Sequence, residues 1–236
     1  MARTTCVLLL LFLMTGTAQA DRWPLYPGWS WTYQSDYQGQ SEYVEVLEQT
    51  QVVRGVECIV LLKELDQIGG LERAHYFLTK NAEGDVWMHG FEDIDEGEER
   101  QVSLDPPVLV LDQPMVMGAL WSTRSTSYLG LEVGGAPIWH FIETYKVDED
   151  KFFELNFGTR QAYGLVKWFW VNPDPPEGAV DIEWTPQFSA LDNGPASIFF
   201  SEGIGIVLEY TLWLTSYSQT VAAEQATWSE LKRQFR

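Results

Sequence analysis

The densest run of residues able to do chemistry is Glu92 to Arg100, which carries carboxylates at Glu92, Asp93, Asp95, Glu96, Glu98 and Glu99. Asp93 and Asp95 at spacing two, followed by Gly97, have the start of a Ca²⁺ loop. The third Asp/Asn and the glutamate closing a twelve-residue loop are both missing. A solvated acidic loop is the expectation. The three histidines, His75, His89 and His140, have no His-x-His or His-x-x-x-His partner, so each reads as a structural or surface residue rather than a ligand. There is no Gly-x-Ser-x-Gly elbow for a nucleophilic serine and no phosphate-cradling glycine loop. The sequence therefore nominates no catalytic residue, no metal ligand and no cofactor. An Asp/Glu pair acting on a glycan stays as the enzymatic alternative, but among 34 carboxylates the sequence singles out none.

The aromatic residues are the real excess, with eleven tryptophans in the chain. Trp29 and Trp31, and likewise Trp168 and Trp170, sit at spacing two and so share a sheet face within each pair. Trp168 and Trp170 end a strand that runs into a Pro/Gly-containing insertion, from Asn172 to about Ala196, which holds Trp184. Loops at a sheet mouth often carry binding. Trp168, Trp170 and Trp184 are thus the candidate ligand residues, lining a cleft for an apolar or sugar-like molecule. The competing reading is core filling by large rings.

The elements that would position these residues are short strands. Ser30–Tyr37, Ser41–Thr50 and Val56–Leu65 come first. Leu71–Lys80 and Asp85–Phe91 make a hairpin over Asn81-Ala82-Glu83-Gly84, and a short strand, Val108–Leu111, closes the first half. Ala119–Tyr128, Trp139–Val147, Lys151–Phe157, Gln161–Val171 and Gly203–Leu214 follow. Only residues 222–235 change to a helical period. The entry segment Pro24-Leu25-Tyr26-Pro27-Gly28-Trp29-Ser30-Trp31 returns as Pro114-Met115-Val116-Met117-Gly118-Ala119-Leu120-Trp121. The fold expected is all-β: a curved antiparallel sheet (barrel, half-barrel or sandwich) of two related β-meander halves, about 21–111 and 112–221, with a short C-terminal helix at about 222–235. One domain over 21–236 is expected, and Trp31 and Trp121 should occupy equivalent places.

Residues 1–20 read as a secretory signal: Arg3, the apolar stretch Cys6–Leu13, and the small-residue site Ala18-Gln19-Ala20. The apolar stretch is too short to span a bilayer. Beyond it only Cys58 remains, so no internal disulfide can form, and its apolar neighbours predict a buried thiol. A bacterial periplasmic or extracellular location follows from the leader. The net charge of −19 argues against nucleic acid and anionic membrane surfaces as partners.

The segments Pro24–Tyr33, Val53-Arg54-Gly55-Val56-Glu57-Cys58, Pro114–Trp121 and Gly203-Ile204-Gly205-Ile206-Val207 together resemble uncharacterised bacterial secreted or periplasmic proteins and lipoproteins. Those chains begin with Pro-Leu-x-x-Gly-x-x-Trp-x-Tyr. The resemblance implies a fold and a compartment only. The chain departs from that pattern in lacking the lipobox cysteine and a Val-Pro-Ala-Gly-x-Phe segment, so it implies no lipid anchor. The functional expectation is a non-catalytic exported binding or cell-envelope protein with a small apolar or carbohydrate ligand; the alternative is the glycan hydrolase. Oligomeric state is left open.

Overall fold

A computed structural model of the chain describes residues 21–35, 39–67, 69–95, 98–172, 198–209 and 212–219. Within them twelve antiparallel strands form one closed barrel. They are β1 (Ser30–Ser35), β2 (Ser41–Val53), β3 (Val56–Gln67), β4 (Gly70–Lys80), β5 (Val86–Asp95), β6 (Glu98–Leu111), β7 (Leu120–Leu129), β8 (Pro137–Leu155), β9 (Gly158–Asn172), β10 (Ile198–Ser201), β11 (Gly205–Glu209) and β12 (Leu212–Ser218). Every strand pairs with its neighbours in sequence, and β1 pairs with β12 to close the ring. The all-β expectation is met, in its barrel form. The helix expected at 222–235 lies outside the described residues.

Alternation decides which way each strand faces, because paired residues share one side of the sheet. Trp31, Tyr33 and Ser35 of β1 stand opposite Tyr217, Leu214 and Leu212 of β12. Val44 and Val46 of β2 stand opposite Lys63 and Leu61 of β3. These rows point inward and are largely buried. The outward rows carry Glu45, Glu64, Arg73, His75 and Glu92. Each fully buried Val, Leu or Phe is worth about 1.5–3 kcal/mol of transfer free energy, so a one-residue slip in register would exchange apolar and charged rows at large cost.

The repeat seen in the sequence is present in the geometry. Gly28 donates to the Val46 carbonyl and Gly118 to the Val147 carbonyl, each at 2.8 Å. Val46 in turn donates to Trp29 and Val147 to Ala119. The two glycines have φ of 80° and 82°, the left-handed region that a side chain resists. Leu25 and Met115 are buried alike. Trp31 gives its indole N–H to the Ile204 carbonyl and Trp121 to the Leu109 carbonyl. Trp31 and Trp121 are the second residues of β1 and β7, which stand six strands apart in a ring of twelve.

The correspondence extends to the hairpins. Both β2 and β8 shift register just past the shared valine, between Val46 and Thr50 and between Val147 and Glu149. Beyond each shift the hairpin leaves the ring and lies over the outer face. The β2–β3 tip packs Val53, Cys58 and Val60 on Phe77 of β4 and on Leu131 from the β7–β8 connection. The β8–β9 tip packs Phe153 on Phe199 and Trp213, and Phe157 on Tyr217.

Several expectations need correction. The single strand expected at Gly203–Leu214 is two antiparallel strands, β11 and β12, with Leu208 opposite Trp213 and Glu209 opposite Leu212. Val108–Leu111 is the end of β6 rather than a strand of its own. The acidic loop expected at 92–100 is strand at the residues described, 92–95 and 98–100: β5 runs through Asp95 and β6 starts at Glu98. A ladder on both sides overrides the low strand preference of acidic residues; Glu92 lies between His75 and Gln101, and Asp93 between Ala74 and Arg100. The stretches around Trp139–Val147 and Lys151–Phe157 belong to one strand, β8, that bends at the register shift. The β6–β7 joint is also unusual. Its ladder has three register pairs, Ser103–Asp105 with Tyr128–Thr126. Past Pro106 and Pro107, side chains take over: Ser125 Oγ donates to the Pro106 carbonyl, and Leu109 N–H donates to Thr123 Oγ1.

Candidate functional site

The barrel interior is not fully packed. A cavity of about 300 Å³ runs down it, within the usual size range for a small-molecule pocket. Its walls are mainly apolar. Leu61, Leu78, Met88, Val110, Leu165 and Ile206 line its sides, with Trp23 and Phe200 in edge contact at 5.5 Å. Trp23 comes from the entry segment, which folds across one end of the ring. Its main-chain carbonyl accepts from Lys80 Nζ at 2.7 Å. A side chain at Gly205 would approach the Trp23 ring to 3.0 Å, so this end is closed by close packing.

Polar residues gather toward the other end of the strands. Lys63 Nζ lies 2.9 Å from Glu42 Oε2 and 3.0 Å from Glu209 Oε1. Tyr33, Tyr76, Lys63 and Glu209 line the cavity, and Glu42 does not. The Glu42 side chain is 1% exposed, against 23% for Lys63 and 17% for Glu209. Glu42 therefore holds the lysine from a closed-in position on the inward face. Burial, and then the charge of Glu209, raise the Glu42 carboxyl to about 7, against the pull of Lys63. Burial alone would lower Lys63, but the charges of Glu209 and Glu42 outweigh it and hold the ammonium above its ordinary value. Burial first, then Glu209 and Glu42, push the Tyr33 phenol up, and its hydroxyl donates to the Ile206 carbonyl at 3.1 Å. Across the cavity Lys167 Nζ sits 3.0 Å from Glu143 Oε1, and the Tyr145 hydroxyl donates to Glu143 Oε2 at 2.7 Å.

A second cavity, of about 370 Å³, shares Lys63 and Tyr76 with the first and is otherwise bounded by Leu65, Glu72, Arg73, Ala74, Asp93 and Ile94. Lys63 and Tyr76 thus stand between an apolar chamber and a polar antechamber. The arrangement can shelter an apolar body in the chamber and meet a polar group at Lys63, Glu209 and the two tyrosines.

The backbone places Trp168 opposite Thr144 and Trp170 opposite Ile142, at positions alternating with those of Leu165 and Lys167. The side chains of Trp168 and Trp170, and all of Trp184, lie outside the described residues. The histidines are cross-strand ties. His75 Nδ1 lies 2.9 Å from Glu92 Oε2, His89 Nε2 2.8 Å from Thr79 Oγ1, and His140 Nδ1 2.8 Å from Thr126 Oγ1. Among the described residues, no three His, Cys, Asp or Glu side chains are grouped as a metal site requires.

Sequence reasoning passed over Glu42, Lys63 and Glu209. The signal was in the alternation: Glu42 heads the inward row of Val44 and Val46, and Lys63 stands between Leu61 and Leu65. A charge inside an apolar row is a buried charge, which needs a partner. Among known proteins, no family model, curated protein or solved structure matches this chain.

Proposed function

We propose that this is a non-catalytic exported binding protein that carries a small, mainly apolar ligand in the barrel interior. The observation that carries the reading is the mostly apolar chamber with its few convergent polar groups at one end. Such lining suits an apolar molecule better than a sugar, whose hydroxyls would need many buried partners. The outward charged rows support an aqueous compartment, because strands of membrane barrels alternate in the opposite sense, apolar outward. The leader at 1–20 supports export.

The hydrolase alternative has one attractive feature, two carboxylates within reach of one lysine. A general acid must touch the scissile bond. Glu42, the carboxyl that keeps its proton near neutrality, is almost wholly buried and does not line the cavity. That position favours binding over hydrolysis.

The test is titration with N-phenyl-1-naphthylamine, an uncharged apolar dye that brightens out of water. Saturable binding of about one dye per chain is expected. Leu78→Trp and Leu165→Trp, which fill the chamber, should each abolish it while the strand signal in circular dichroism stays. Absence of saturable binding, or full binding by both filled variants, would overturn the reading.

A further inference from the structure

We infer that the ligand is a hydrophobic amine, an apolar body bearing one cationic head that seats against Glu209. This rests on the lumen being the binding site. The charges around the chamber decide the head group. Lys167 is matched by Glu143 at 3.0 Å. Lys63 is met by two carboxylates, Glu42 at 2.9 Å and Glu209 at 3.0 Å. Glu42 is the more buried of the two and does not line the cavity. Among the described residues its one ion pair is with Lys63. Glu42 can therefore serve as the counter-ion of Lys63, which leaves the negative charge of Glu209 in surplus on the cavity wall. An anionic head would place a further negative charge beside Glu209 and would have to take Lys63 from two carboxylates. A cationic head completes the set. Tyr33 and Tyr76 line the same stretch of wall, and aromatic faces attract cations within about 6 Å.

Glu42 acts here through Lys63 and is a positioning residue. The groups around it are Lys63 on β3, Glu209 on β11, Tyr33 on β1 and Tyr76 on β4. When Glu42 takes a proton, Lys63 turns wholly to Glu209 and the surplus disappears. Discrimination for the amine should then weaken as pH falls through about 7.

The experiment uses three probes with one chain length: dodecylammonium, dodecanol and dodecanoate, each below its aggregation limit. Each displaces N-phenyl-1-naphthylamine from the purified protein at pH 8 and pH 6. Displacement reports the lumen, so non-specific adsorption of a cation to this acidic chain does not register. At pH 8 the amine should displace the dye about tenfold or more better than the alcohol, as a charge-assisted contact gives, and dodecanoate should be weakest. At pH 6 the gap should narrow. Glu209→Gln should bring amine and alcohol within about threefold. Glu42→Gln should do the same and also remove the pH dependence, with dodecanol unchanged in both variants. Dodecanoate binding as well as the amine, or an alcohol equal to the amine in the unaltered protein, overturns the inference while leaving the binding function intact. Failure of all three probes to displace bound dye overturns the head-group assignment, and failure of the dye itself to bind overturns the binding function with it.

Discussion

Glu42 shows how one buried carboxyl can tie stability to pH. Its value of about 7 in the folded protein stands above the ordinary value of 4.5. Between those two values the native state holds a proton that the unfolded chain has lost. The stabilisation is therefore present at the acid side of this window and is lost as pH rises through about 7. Between pH 5.5 and 8 the loss is about 2 kcal/mol. Glu42→Gln, which cannot ionise, should remove that part of the slope. The comparison of urea midpoints for the two proteins at both pH values tests it; parallel pH dependences would show that the folded-state proton is not on Glu42. Little of this cluster could be read from the sequence. Residues 42, 63 and 209 are brought together only when β11 and β12 close onto β1 and β2. A linear scan for ligand spacing sees residues close in sequence, and these partners are not.

The hairpins are elements with two jobs, since each begins as barrel wall and ends as a cover on the outside. The β2–β3 tip is pinned by Arg54 N–H donating to the Leu131 carbonyl, by the Arg54–Asp105 ion pair at 2.8 Å, and by the Arg54 guanidinium lying over the Tyr128 ring. Cys58 is completely buried beneath it, and burial pushes its thiol up to about 11. Both effects suppress the thiolate that reacts. Labelling of Cys58 in the native protein should accordingly be slow. Leu131→Ala should cost about 2–5 kcal/mol and speed labelling at Cys58 by about tenfold or more, as followed by mass spectrometry of its peptide. An unchanged rate would mean that Leu131 does not hold the tip down. The sequence showed these hairpins only as strands and turns. Their departure from the ring depends on register shifts at Thr50 and Glu149, and neither position has a glycine to mark it.

At the scale of the whole molecule, the chain is a ring assembled from two similar arcs, β1–β6 and β7–β12. The similarity was legible in the sequence because it resides in a turn whose Pro, Gly and Trp spacing is fixed by backbone geometry. The closure into a barrel was not, since alternation sets the face of each strand but leaves the first and last strands free to pair or not. Trp31→Phe and Trp121→Phe each leave a carbonyl, of Ile204 and of Leu109, without its indole donor. Each should cost about 1–3 kcal/mol. The sites stand on opposite arcs, so the double variant should lose the sum within about 0.5 kcal/mol. Both arcs share one core, so unfolding should remain a single transition by near- and far-ultraviolet circular dichroism. Two separated transitions would show that the arcs fold on their own.

Ring closure has a further consequence for how these molecules meet one another. A sheet with free edges offers a template to any extended strand, and that is a route to polymerisation. Here β1 and β12 occupy each other's edge. Among the described residues the ladders still stop short in places, and three of these are guarded. Past Val46, which still exchanges main-chain hydrogen bonds with Gly28 and Trp29, β2 has no further pairing on the β1 side among the described residues, and it carries Glu48 there. Past Val147, bonded in the same way to Gly118 and Ala119, β8 has no further pairing on the β7 side among the described residues, and it carries Asp148, Glu149, Asp150 and Lys151. The β6 stretch beyond Asp105 begins with Pro106 and Pro107, which have no N–H to offer. Like charge on neighbouring molecules and missing donors both turn an incoming strand away. The stops in the ladder thus sit where an added strand would meet like charge or find no donor to pair with.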